Sequence, residues 1–138
     1  MTTRPLFLLS VLAGVMGACG GEEDVRDPVW GYIQPAIIEP NCATSSCHSK
    51  AVAAAGLDLS TLDNGYYSLT QLKLAPRGMG TSPPMPPRAM VIPGNPDESR
   101  VLHMLRASGA RRMPPDRPLA DADVNLIERW ILLGAKND

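Results

Sequence analysis

Two stretches near the ends of the mature chain carry apolar side chains at helical spacing. In "DPVWGYIQPAIIEPNC" Val29, Ile33 and Ile37 form one stripe, with Trp30 and Ile38 beside it. This predicts a helix opening at Asp27–Pro28, kinked or split at Pro35 and ended by Pro40. In "LADADVNLIERWILLGA" Val124, Ile127, Trp130 and Ile131 repeat the pattern. Here Asp121 or Asp123 is the expected cap and Gly134 the stop. Between them, "NPDESRVLHMLRA" predicts a helix with Val101, Leu102 and Leu105 inward and Gly109 at its end. "AVAAAGLDLSTL" reads as a weak helical run to Gly56, after which Leu57, Leu59 and Leu62 dock. Asn64–Gly65 is a turn signal, and Gly65 to Leu74 is ambiguous. Proline-rich loops cover Ala75 to Pro96 and the stretch "RRMPPDRP". No segment alternates with period two. The expected class is all-α, with about four helices and long proline-rich loops.

The first residues follow a different pattern. Met1 to Ala18 has one charge at Arg4, an apolar run from Leu6 to Met16, then small residues. This is the composition of a secretory signal peptide, and the run is too short to span a bilayer. "VMGAC" then puts Gly17 and Ala18 before Cys19, with polar "GGEED" after it. The stretch resembles the lipobox of bacterial lipoproteins, although Met16 stands where leucine is usual. That resemblance implies an acylated Cys19, and Gly20 in the next position resembles an outer-membrane address. The expected organisation is a signal peptide over 1–18, a flexible tether over 19–27, and one domain over 28–138.

Charge narrows the partners. The net charge is −1 with no basic stripe, so nucleic acid is not an expected ligand. Fourteen prolines and few aromatics leave a modest core, and such small domains usually need a staple, a metal or a cofactor. The chain has three cysteines. If Cys19 carries lipid, Cys42 and Cys47 remain as a pair in an exported protein.

That pair lies in "NCATSSCHS", with His48 directly after Cys47. Three readings are open from these residues. Two thiols with an adjacent histidine can hold a c-type haem, although the usual spacing is C-x-x-C-H and here four residues intervene. The two thiols can close a disulfide. Cys42, Cys47 and His48 also offer ligand types that zinc or copper accepts, but adjacent Cys and His side chains diverge. An electron-transfer haem also takes a sixth ligand, often methionine. Met113, held between Arg112 and Pro114–Pro115 in the loop before the last helix, is in the expected place. Met79, Met85 and Met90 in the earlier proline loop are rivals, and "PPMPPR" mimics "RMPPD". His103 falls within a helix. No Ser/His/Asp constellation is present in the pattern, so an enzyme is not expected.

Four stretches taken in order resemble one family. These are "IQPAIIEPNCATSSCHS", "AAAGLDLST", "VIPGNPDESRVLHML" and "RMPPDRPLADADVNLIERWILLGA". Together, from about Val29 to Ala135, they resemble the planctomycete-type cytochrome c domain of exported bacterial lipoproteins. The resemblance implies haem c attached covalently through Cys42 and Cys47. It implies His48 and Met113 as axial iron ligands, and electron exchange with redox partner proteins. The chain departs from the family in its four-residue cysteine spacing. A haem site would present an apolar slot lined by Leu57, Leu59, Ile92, Leu102 and Trp130, with Trp130 near the porphyrin edge or against Trp30. A haemless domain of the same fold, acting as a binding or assembly module, would have that slot filled and the two sulfurs bonded.

Overall fold

The computed structural model describes residues 24–74 and 86–138. The signal peptide, Cys19, Met79 and Met85 lie outside the described residues. The domain is all-α, and four helices carry the core. Helix α1 is a continuous run of three pieces: an α-turn Trp30–Ile33, a π-turn Gln34–Ile38 and an α-turn Glu39–Cys42. Helix α2 spans Leu62–Thr70, α3 spans Arg100–Leu105, and α4 spans Asp121–Leu132. Short 3-10 turns at Ala54–Gly56, Pro96–Glu98 and Gly109–Arg111 punctuate the loops. Leu74 and Arg88 pair in an isolated antiparallel bridge.

The prolines of α1 neither split nor end it. Pro35 lacks the N–H that would bond the carbonyl one turn back. The helix widens instead, and the Glu39 N–H bonds the Gln34 carbonyl five residues earlier. The added residue absorbs the proline, so helicity continues past Pro40 to Cys42. Trp30, Ile33, Ile37 and Ile38 are all buried as the stripe predicts. Gln34 is buried with them, its amide donating to the Leu59 carbonyl at 3.3 Å.

The second region departs from its pattern. The weak helical run after Ala51 is only a 3-10 turn, with Ala53 and Ala55 in left-handed conformation. Asn64–Gly65 is not a turn but lies inside α2. Thr61 caps that helix by accepting the Asn64 N–H at 3.2 Å. Gly65 is there for space: a Cβ would meet Cζ2 of Trp30 at 3.1 Å. Leu57 and Leu59 dock as expected, whereas Leu62 stays exposed. The α3 region opens as a 3-10 turn capped by Asn95, and α3 stops at Leu105, ahead of Gly109. Asp121 and Asp123 do not cap α4. The N-cap is Ala120, and both carboxylates sit in the first turn against the positive end of the helix dipole. Gly134, with φ of 101°, follows the end of α4 as expected.

The core is organised by Trp30 and Trp130, whose rings stack with centroids 5.0 Å apart and planes at 27°. Tyr66 meets both edge-on. Each indole N–H is satisfied, Trp30 by the Leu62 carbonyl and Trp130 by the Lys136 carbonyl. The Tyr66 hydroxyl donates to the Ala135 carbonyl. The later part of the proline loop contributes Met90 and Val91 to the same cluster.

The tether is not free along its whole expected length. Arg129 of α4 donates to the backbone carbonyls of Asp24 and Arg26. Arg26 pairs with Asp24 and with Asp123 at the start of α4. The Arg26 guanidinium lowers the Asp24 carboxyl to about 2. Residues 24–26 are therefore clasped to α4, which corrects the expectation of a flexible segment to residue 27.

Trp130→Ala should destabilise the domain by about 3–5 kcal/mol, because it removes a large buried side chain and the partner face of Trp30. Urea unfolding followed by far-UV circular dichroism measures this loss. A loss below about 1 kcal/mol would show that the stack is not central.

Candidate functional site

The Cys–His loop starts where α1 ends. Cys42 is the last residue of α1 and packs, half-buried, against the core with Ala43 beside it. Residues 43–46 leave the helix as a turn closed by the Cys47 N–H to the Thr44 carbonyl at 2.9 Å. The His48 N–H then returns to the Cys42 carbonyl at 3.0 Å. The four intervening residues are thus taken up as a bulge, and the two ends of the motif are joined backbone to backbone. From the other side, Leu59 N–H bonds the His48 carbonyl and Ala54 N–H bonds the Cys47 carbonyl. The loop is held by main-chain bonds from both flanks.

The two thiols are free and unlike one another. Burial pushes the Cys42 thiol up to about 11, and the nearby Cys47 adds to the shift. Cys47 is lowered instead, because hydrogen bonds from Thr44 and Ser46 favour its thiolate. The Ser46 hydroxyl lies 3.6 Å from its sulfur. Asp116 opposes this shift through space. That carboxylate belongs to the loop that carries Met113.

Met113 is half-buried, and its N–H bonds the Met104 carbonyl at 3.0 Å. Arg112 braces the segment after it, donating to the carbonyls of Pro114 and Pro115. Met104 itself packs against the core, like Cys42. The chain beyond Met113 stays near the Cys–His loop. Asn41 and residues 117–121 border one open groove of about 550 Å³. Neither this groove nor its neighbour beside Arg106 and Arg112 is lined by Cys42, Cys47, His48 or Met113.

The expected apolar slot is not where the sequence places it. Leu57, Leu59, Leu102 and Trp130 are buried within one closed cluster, and only Ile92 of that set is half-exposed. Trp130 stacks on Trp30, the second of the two placements expected from the sequence. Met90, a rival ligand, is also spent in the core, at 4% exposure. His103 is on the surface, with its ring Nε2 at 2.7 Å from the Asp97 carbonyl oxygen.

The donor set itself fits a haem c. Both sulfurs are unbonded, and His48 Nδ1 is buried with no hydrogen-bond partner among the described residues. A buried ring nitrogen left in this way costs about 1–3 kcal/mol; an axial histidine binds iron through Nε2, so Nδ1 is the nitrogen that would face away from a haem. Among the described residues no three His, Cys, Asp or Glu side chains converge on a point. Sequence reasoning did not foresee Thr44, Ser46 and Asp116 as tuners of Cys47. The hydroxyls of "ATSS" were a visible signal for the first two; nothing local marks Asp116. Compared with known proteins, the chain matches no family model, no curated protein and no solved structure.

Alkylation should separate the thiols. Iodoacetamide at neutral pH is expected to label Cys47 well before Cys42, since the thiolate is the nucleophile. Labelling of Cys42 should rise only as the pH climbs towards 11. Peptide mass mapping of a pH series checks this; equal rates at neutral pH would show that the two environments do not differ.

Proposed function

We propose that the chain is an exported, lipid-anchored monohaem c-type cytochrome that exchanges electrons with redox partner proteins. The observation that carries this reading is the state of the Cys–His loop. Two free thiols flank a closed four-residue bulge, and His48 follows the second thiol directly. Cys42 and Cys47 would hold the haem by thioether bonds, and His48 and Met113 would be its axial ligands. A haem ligated in this way takes up and gives back one electron at a raised potential.

The chain's own residues support that role in defined ways. The bonds from Leu59 and Ala54 hold the backbone of His48 and Cys47, so the imidazole is presented without a large ordering cost. The hydrogen bonds on Cys47 keep its sulfur in a reactive state, and the end of α1 shields Cys42. Arg112 steadies the loop that presents Met113. The anchor would be an acylated Cys19, and its flanking residues match an outer-membrane address.

A second reading has an observation in its favour. The closed cluster around Leu57, Leu59, Leu102 and Trp130 is what a haemless domain of this shape requires. That domain would act as a binding or assembly module and would be expected to bond Cys42 to Cys47.

One experiment separates the two. The mature chain is expressed in a periplasm equipped for cytochrome c maturation, then weighed intact and extracted with acid-acetone. Retention of the reduced haem bands and a haem-sized mass increment is the expected result. A colourless protein lighter than its reduced chain by a pair of hydrogens would replace the cytochrome with the disulfide-bonded module. In the coloured protein, Met113→Ala should lower the reduction potential and abolish the spectral signature of methionine ligation.

A further inference from the structure

Seven large hydrophobic residues are exposed among the described residues, and four of them belong to segments joined by Arg129 and by the Trp30–Trp130 stack. Val25 is 91% exposed, between Asp24 and Arg26, whose carbonyls Arg129 grips. Leu132 and Leu133 follow Arg129 by three and four residues, so they neighbour it on the helix surface; they are 61% and 64% exposed. Tyr32, at 40% exposure, lies in the first turn of α1, two residues after Trp30, which stacks on Trp130 of α4. The two arginines inside this patch are already engaged. Arg26 is paired with Asp24 and Asp123, and Arg129 with backbone carbonyls.

The chain's own covalent path points to what covers the patch. Only five residues lead from Cys19 to Asp24, so an acylated Cys19 holds Asp24 within roughly 18 Å of the lipid. Because Arg129 clasps residues 24–26, that short lead fixes an edge of the domain near the membrane, rather than letting the domain swing on a long tether. The edge it fixes is the apolar one. Tyr32 adds an amphipathic ring of the kind enriched at membrane–water interfaces.

We infer that Val25, Tyr32, Leu132 and Leu133 form a lipid-contact surface that docks the domain onto the membrane carrying the Cys19 anchor. The inference rests on the reading of Cys19 as acylated and is independent of the haem. It sets the orientation of the molecule. Tyr32 lies in the first turn of α1 and Cys42 in its last, a separation of roughly 15 Å along the helix. The Cys–His loop is therefore turned away from the lipid and towards soluble partners. Apolar contact drives the docking, and Lys136, exposed three residues beyond Leu133, adds a cation at its border. Docking should therefore occur on phosphatidylcholine vesicles and strengthen modestly when phosphatidylglycerol is added.

The test uses the full processed chain, purified from membranes and placed in vesicles with brominated acyl chains. Trp30 and Trp130 are each 1% exposed and give a constant background. A tryptophan introduced by Leu133→Trp is expected to be quenched about twofold by the bromines, since docked apolar side chains reach the headgroup–acyl boundary. One introduced by Val52→Trp, in the turn that folds back on Cys47, should be unaffected. Adding Val25→Asp to Leu133→Trp should restore most of the emission. Intact mass reads the anchor separately. A chain with acyl groups but equal quenching at both positions overturns the docking alone. A chain without acyl groups overturns the anchor reading and the docking with it.

Discussion

The stack of Trp30 on Trp130 is the contact on which the rest of the domain depends. It joins the first turn of α1 to the last turn of α4 and so closes the chain on itself. Both indole nitrogens and the Tyr66 hydroxyl donate to backbone carbonyls, so the aromatic cluster buries no unpaired donor of its own. Three rings thereby tie α1, α2 and the C-terminal segment at Ala135 and Lys136. Gly65 shows how close the fit is, because α2 can approach Trp30 only where a side chain is missing. Both tryptophans of the chain and one tyrosine meet in this one place.

This concentration has a consequence for the candidate site. Along α1, Trp30, Ile33, Ile37 and Ile38 are buried, whereas Asn41 and Cys42 at its end are only half-buried. The Cys–His loop therefore forms at the boundary between packed side chains and solvent. Cys42 feels the packed side, and burial raises its thiol; Cys47 feels the surface, where Thr44 and Ser46 favour the thiolate. Position relative to the core gives two chemically identical residues opposite tendencies. The backbone bonds from Ala54 and Leu59 explain why a four-residue spacing does not loosen the motif. It is closed by main-chain contacts that any residues between the cysteines would allow.

The same axis orders the molecule from end to end. The clasp of Arg129 on residues 24–26 and the exposed aliphatic edge stand at the beginning of α1. The thiols and His48 stand at its other end.

Much of this was legible in the residues themselves. The apolar stripes of α1, α3 and α4, the all-α class and the order of Cys42, Cys47, His48 and Met113 follow from spacing, which states which side chains share a face. Spacing does not state what covers that face. Pro35 reads as a break, yet a widened turn absorbs it; Asn64–Gly65 reads as a turn, yet Trp30 demands a glycine inside a helix. Trp130 and its neighbours read as walls of a slot, yet they close on one another. The tether reads as free to residue 27, yet Arg129, more than a hundred residues later, pins it. The sequence alone determined the helices and the identity of the reactive groups, because periodicity and side-chain chemistry are local. Tertiary structure decided which surfaces fill, where the tether is held and how each thiol ionises, because burial and electrostatics act through space between residues far apart in the chain.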